Sequence, residues 1–206
     1  MSPVTDTPPW RDAVVSYIRA EARPPDKFGH QPRLYRLAVR IGLGLPYDND
    51  VLFAAAWLHD IGVFLGHRPA DPAALATWDN VDYACRMVPG LLIMFGYPAG
   101  KVSQVVEAIR THLPDRDPKT PEGIQLRDAD ILEQLGATGI LRNVCKVGSD
   151  TRYATHADII PVLRHNLETL PGLLRLPVSR EIAEERITIL RAFLDGVTAE
   201  AEESFW

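Results

Sequence analysis

Residues Val51-Leu52-Phe53-Ala54-Ala55-Ala56-Trp57-Leu58 constrain this chain more than any other stretch. Read as a helix, the segment is apolar on every face, so other elements must cover it on all sides. It passes directly into His59-Asp60 and reaches Gly62, which is placed to cap the helix C-terminus. An ionised carboxylate at the end of such a helix is costly unless a metal ion or a hydrogen-bonded His–Asp pair compensates it. The dipeptide is therefore the first place to look for chemistry.

The rest of the chain supplies helices for that cover. The clearest is C-terminal: Ser179 stands as its cap, Glu181 favours the first turn, and Ala183, Ile187, Leu190, Leu194 and Val197 form one apolar stripe. Thr120-Pro121-Glu122 is a second start, with Pro at the first helical position. Further helices are expected over Trp10–Glu21, Gln31–Leu43, Asp50–Ile61, Val81–Met94, Gly100–His112, Gly136–Val147 and His156–Leu170. Pro161 implies a kink or a late start in the last of these. No run alternates as a half-buried strand would. The joints at Arg23–Asp26, Gly66–Pro72, Pro114–Pro121 and Leu176-Pro177 are too short for flexible linkers. One all-α, compact multi-helix domain over residues 1–206 is the expectation.

Composition narrows the function classes. The chain is 46% hydrophobic and 24% charged, which excludes disordered and low-complexity readings. A formal charge of −5 argues against a coat for polymeric nucleic acid. Cys85 and Cys145 stand 60 residues apart without a Cys-x-x-Cys, so a disulfide scaffold and a four-thiolate zinc site are excluded. Met1 to Pro9 is polar and Pro-rich rather than signal-like. The longest apolar stretches fall far short of the ~20 residues of a membrane helix. A soluble, cytoplasmic protein without membrane contact is expected.

The remaining histidines and acids sort into a candidate set. His30 opens an amphipathic helix with Leu34, Leu37, Ala38 and Ile41. Asp128 and Asp130 interrupt Gln125–Leu132, and His112 ends the helix carrying Val102, Val105, Val106 and Ile109. Two imidazoles and two carboxylates from three helices make a mixed nitrogen–oxygen site. Such a set suits Mn²⁺, Fe²⁺, Co²⁺, Ni²⁺ or Zn²⁺ better than Ca²⁺.

His30, then His59-Asp60 29 residues later, then an Asp within Arg127-Asp128-Ala129-Asp130, resembles the H…HD…D pattern of the HD-domain metal-dependent phosphohydrolases. The surroundings His30-Gln-Pro-Arg33-Leu34, Ala56-Trp-Leu-His59-Asp60-Ile-Gly62 and Ala108-Ile-Arg-Thr-His112 are similar to segments of small bacterial HD hydrolases. So are Asp128-Ala-Asp130-Ile-Leu, Leu135-Gly-Ala-Thr-Gly139-Ile-Leu-Arg142 and the tail from Ile182. The resemblance runs in order over about residues 26 to 200. It implies His30, His59, Asp60 and one of Asp128 and Asp130 as ligands of one divalent ion, with Mg²⁺ added to the metals above. It implies hydrolysis at phosphorus of a small phosphorylated substrate, a nucleotide by class, with Asp60 orienting the attacking water. Arg33, His112 and Arg142 are implied as the groups that neutralise phosphate.

The chain departs from the pattern in two places. No acid stands in Ile61–Gly66, where some members carry a catalytic glutamate, and Val81–Gly96 lacks the histidines of two-metal relatives. Two other readings stand beside the first: a di-iron oxygenase on the same fold, which requires extra ligands that Val81–Gly96 does not provide, and a non-catalytic metal- or nucleotide-binding module. Within the Asp pair two lines of argument diverge. Ile124, Asp128, Ile131 and Leu135 form a stripe that turns Asp128 inward, and Asp130 lies about 200° away on the same helix. The resemblance instead aligns Asp130-Ile-Leu with the final Asp, so Asp130 is assigned as the ligand and Asp128 to a pair with a nearby Arg. His67 is read as a solvated loop residue, and His156 and His165 as structural or exposed.

Overall fold

The computed structural model describes residues 8–148, 150 and 152–201; the polar start up to residue 7 lies outside them. Among the described residues there are ten α-helices and no strand. They are α1 Pro9–Glu21, α2 His30–Ile41, α3 Asn49–Leu58, α4 Pro72–Ala76, α5 Asn80–Met94, α6 Val102–Arg110, α7 Pro121–Glu133, α8 Gly136–Val144, α9 Ile159–Thr169 and α10 Pro177–Glu200. None is long and apolar enough to cross a membrane. The all-α expectation holds. Residues group into two compact units, one ending at Leu126 and one beginning at Arg127.

In the first unit α3 is the axis. Every residue from Val51 to Leu58 is buried, with α1, α2 and α6 packed on it and α5 packed on α6. Its N-terminus is closed by Asp48, whose carboxylate accepts from the backbone N–H groups of Asp50 at 2.9 Å and Val51 at 3.3 Å. Lys101 Nζ lies 2.7 Å from Asp48 and 3.2 Å from Asp50, and Arg11 lies 2.7 Å from Asp50. These charges hold one end of the helix while the other end carries His59 and Asp60.

Gly62 does not cap α3. The helix stops at Leu58, and Gly62 lies in the 3₁₀ turn Ile61–Val63. A glycine is required there by close approach, because a Cβ would stand 2.5 Å from the Asn80 carbonyl oxygen. Thr120 starts α7 as expected, its hydroxyl accepting from Gly123 N–H at 3.2 Å. The short α4 follows an Asp71 cap and Pro72 in a stretch read as a joint.

In the second unit α8, α9 and α10 pack on one another. Helix α9 begins at Ile159, so Pro161 sits in its first turn, where a missing N–H costs nothing. Gly136 opens α8 at φ +64, with a would-be Cβ 3.0 Å from Arg186 on α10. Ser179 does not cap α10, which starts two residues earlier at Pro177 without a side-chain cap. Asp128 instead holds the chain just before α10, from a distance in sequence. Its oxygens accept from Arg175 N–H at 3.1 Å and Leu176 N–H at 2.8 Å, placing a carboxylate at the helix N-terminus. Burial pushes this carboxyl up, against the backbone N–H groups that pull it down.

Burial also pushes the Asp48 and Asp50 carboxyls up. The hydrogen bonds from Lys101 to both, from backbone to Asp48 and from Arg11 to Asp50 outweigh it, and both end below the usual carboxylate range. A carboxylate depressed in the folded state stabilises above its unfolded pKa, and that stability is lost as pH falls through the folded value. Lys101→Met should therefore lower stability near pH 7 by about 0.5–1 kcal/mol, the range of partly exposed pairs. By chemical denaturation, the difference from wild type should shrink as pH falls below the ordinary Asp range and vanish once it is below the lowered values of the folded state. A deficit that persists there would assign Lys101 to packing.

Candidate metal centre

At the end of α3 the last backbone carbonyls have no helical N–H to accept from. His59 uses one of them: its Nδ1 lies 3.0 Å from the Ala56 carbonyl oxygen. His112, just past the end of α6, repeats the arrangement with Nδ1 2.6 Å from Ile109 O. A carbonyl only accepts, so the proton sits on Nδ1 and the Nε2 lone pair is left to bind something else. The helix end thus selects the tautomer of both rings.

His59 Nε2 faces His30 Nε2, from the first residue of α2, at 3.3 Å. Asp60 Oδ2 lies 3.5 Å from His59 Nε2 and 3.7 Å from His30 Nε2. The two carboxylate distances are long for direct hydrogen bonds. They suit ligands of one ion, since tetrahedral ligands at about 2.0–2.2 Å lie about 3.3–3.6 Å apart. Two neutral imidazoles and a carboxylate fit a divalent transition metal. The histidines are 6% and 1% exposed, while the Asp60 side chain is 21% exposed, so the cluster meets solvent on the carboxylate side. Asp60 adopts φ −101 and ψ 13, between helical and extended backbone, as it links α3 to the following turn.

Of the other sequence candidates, His112 is buried and sets its ring edge-on to His59, centroids 4.9 Å apart. Arg33 is half-buried one helical turn after His30. A Cβ on Gly29 would come within 3.1 Å of its guanidinium. Asp130 and Arg142 lie in the second unit. There Arg142 Nη1 stands 3.5 Å from Asp130 Oδ1 and 3.9 Å from Glu133 Oε2. Gln134 Nε2 donates to Asp130 Oδ2 at 3.2 Å. The buried Glu133 was not among the sequence candidates, although its i+3 spacing from Asp130 puts both acids on one helix face.

His67 departs from its reading as a solvated residue. Its Nδ1 lies 2.9 Å from the Tyr83 hydroxyl and its Nε2 3.1 Å from Glu21 Oε2, with the side chain 10% exposed. His156 and His165 are exposed. Cys85 is buried and Cys145 is exposed.

The family model for the HD domain matches residues 28–135, more than half of the chain, including His30, His59-Asp60 and both aspartates of α7. The chain belongs to the HD-domain family. This HD chain is 27% identical over 173 residues to the uncharacterised protein YpgQ of Bacillus subtilis, covering 80% of this chain and 79% of that one. The crystal structure of YpgQ superposes with a TM-score of 0.72 at 22% identity, covering 94% of this chain and 96% of YpgQ. An HD-superfamily hydrolase from Bacillus thuringiensis gives a TM-score of 0.66 at 17% identity, over 92% and 95% of the two chains. These likenesses carry the fold. YpgQ has also been crystallised in complex with ADP.

His59→Ala removes one nitrogen ligand while α3 stays enclosed by its neighbours. It should weaken Mn²⁺ binding by more than about 100-fold, beyond the usual loss of an outer-shell partner, with helical circular dichroism retained. Full metal occupancy in the variant would remove His59 from the centre.

Proposed function

We propose that this HD-domain chain is a metal-dependent phosphohydrolase that cleaves a phosphoester or phosphoanhydride in a small phosphorylated molecule, a nucleotide by class. The observation that carries the reading is the convergence of His30 Nε2, His59 Nε2 and Asp60 Oδ2 on one point, with the carboxylate side open to solvent. Asp130 is assigned as the fourth ligand. Support for that choice is the kind of partner: Asp128 accepts from the backbone N–H groups of Arg175 and Leu176, which are fixed by the chain path, whereas Asp130 meets the side chains of Gln134 and Arg142. The ADP complex of YpgQ supports the nucleotide class.

When bound, a divalent ion (Mn, Fe, Co, Ni, Zn or Mg) lowers the pKa of a coordinated water and stabilises charge on phosphoryl oxygens. The chain's own groups do the rest. The Ala56 carbonyl holds His59 in the tautomer that leaves Nε2 as a ligand. Asp60 has two oxygens, one for the centre and one to accept a hydrogen bond from the attacking water and orient it. Arg33, one turn from His30, and Arg142 supply fixed positive charge for the phosphoryl oxygens. His112 presents Nε2 beside His59 and is assigned to the substrate.

A phosphate-release screen over nucleoside mono-, di- and triphosphates, with Mn²⁺, Co²⁺, Mg²⁺ and Fe²⁺ in turn, should find metal-dependent release. Asp60→Asn keeps the shape and should cut turnover by more than about 100-fold. Near-normal turnover at saturating metal would reduce Asp60 to a packing residue, and no release from any nucleotide would overturn the substrate class.

The two α7 acids should separate by readout. Asp130→Ala should weaken metal affinity sharply, whereas Asp128→Ala should cost about 2 kcal/mol of stability by leaving two backbone donors unpaired. The reverse ranking in metal titration would make Asp128 the ligand.

A further inference from the structure

The residue that fixes Asp60 is not next to it in sequence. Asp60 leaves α3 into the 3₁₀ turn Ile61–Val63, which packs on α5. In the middle of that turn Gly62 is held from two directions. Its Cα lies directly on the backbone of Asn80: a Cβ would stand 2.5 Å from Asn80 O and 2.8 Å from Asn80 Cα. Its carbonyl oxygen accepts from the Trp78 indole Nε1–H at 2.9 Å. Residues 78–80 are themselves fixed, because the Asp79 carboxylate caps α5 by accepting from Asp82 N–H at 2.8 Å. The Trp78 ring rests against Tyr83 on the first turns of α5, centroids 5.1 Å apart.

We propose that Trp78 is a positioning residue for the metal centre, acting through Gly62 to aim the Asp60 carboxylate; this rests on the metal-centre reading above. The peptide planes from Asp60 to Gly62 leave few soft dihedrals between the gripped carbonyl and the ligand. The one backbone dihedral of Asp60 on that path is its ψ, at 13° and outside regular helix. Asn80 blocks movement of Gly62 in one direction, and the indole hydrogen bond sets the direction its carbonyl faces. Without the indole N–H, the turn can rotate and Oδ2 loses its register with the two Nε2 atoms. Outer-shell bonds of this kind orient ligands elsewhere and are worth about 10–100-fold in metal affinity.

The test is Mn²⁺ titration by calorimetry of wild type, Trp78→Phe and a protein carrying benzothienylalanine at position 78. The last residue keeps the bicyclic shape, lacks only the N–H donor and covers the case in which Trp78→Phe does not fold. Metal-free melting is recorded for each. The proposal expects both variants to bind Mn²⁺ about 10–100-fold more weakly than wild type, with an altered Co²⁺ visible spectrum and a folded metal-free protein. A lowered melting temperature with Mn²⁺ affinity equal to wild type makes Trp78 purely structural and overturns the proposal while leaving the metal centre standing. Wild type that binds no Mn²⁺ overturns the metal-centre reading and this proposal with it.

Discussion

Enclosing α3 on all faces leaves polar groups at its end with nowhere to go but one another. Val51 to Leu58 are buried without exception, so the helix ends with both imidazoles buried and solvent reaching it only on the Asp60 side. Its last carbonyls, two imidazoles and a carboxylate must then satisfy their valences locally. His59 answers by turning Nδ1 to Ala56 O, and His30 and Asp60 crowd the Nε2 that this exposes. A cluster of this composition is expensive as bare protein and inexpensive around a cation. The same burial that stabilises the helix therefore creates the demand for an ion at its end.

The remainder of the first unit serves to hold that end in place. Asp48, Lys101, Arg11 and Asp50 secure the start of α3. Beyond Asp60 the chain is fastened by Trp78 on Gly62, by the Leu65 N–H on Arg23 O at 3.1 Å, and by His67 between Glu21 and Tyr83. In the second unit Asp128 has a different task. It secures the entry to α10 through backbone hydrogen bonds, so a buried acid inside a matched motif acts there on architecture.

What the residues disclosed and what they withheld divide along a physical line. Helices with a 3.6-residue stripe were legible because periodicity is a local property, and all the long ones lie near their expected bounds. The enclosed helix and its His-Asp end were legible because no local arrangement could compensate them. The Gly62 contact with Asn80 was not, since a close approach between residues 18 apart leaves no trace in either segment. The hold of Asp128 on the entry to α10 joins positions 47–48 residues apart, and a local cap at Ser179 was the only visible option. His67 looked solvated for the same reason, its Glu21 partner being 46 residues away. A single apolar stripe cannot rank Asp128 against Asp130 as a ligand, because both lie buried on the same helix.

The central claim is that three side-chain atoms at the end of an enclosed helix are ligands of one ion. Anomalous diffraction from a crystal equilibrated with Mn²⁺ tests it most directly. The account predicts one strong anomalous peak bonded to His30 Nε2, His59 Nε2 and Asp60 Oδ2. No peak at saturating Mn²⁺, or a peak bound elsewhere with these three side chains still in mutual contact, would contradict it.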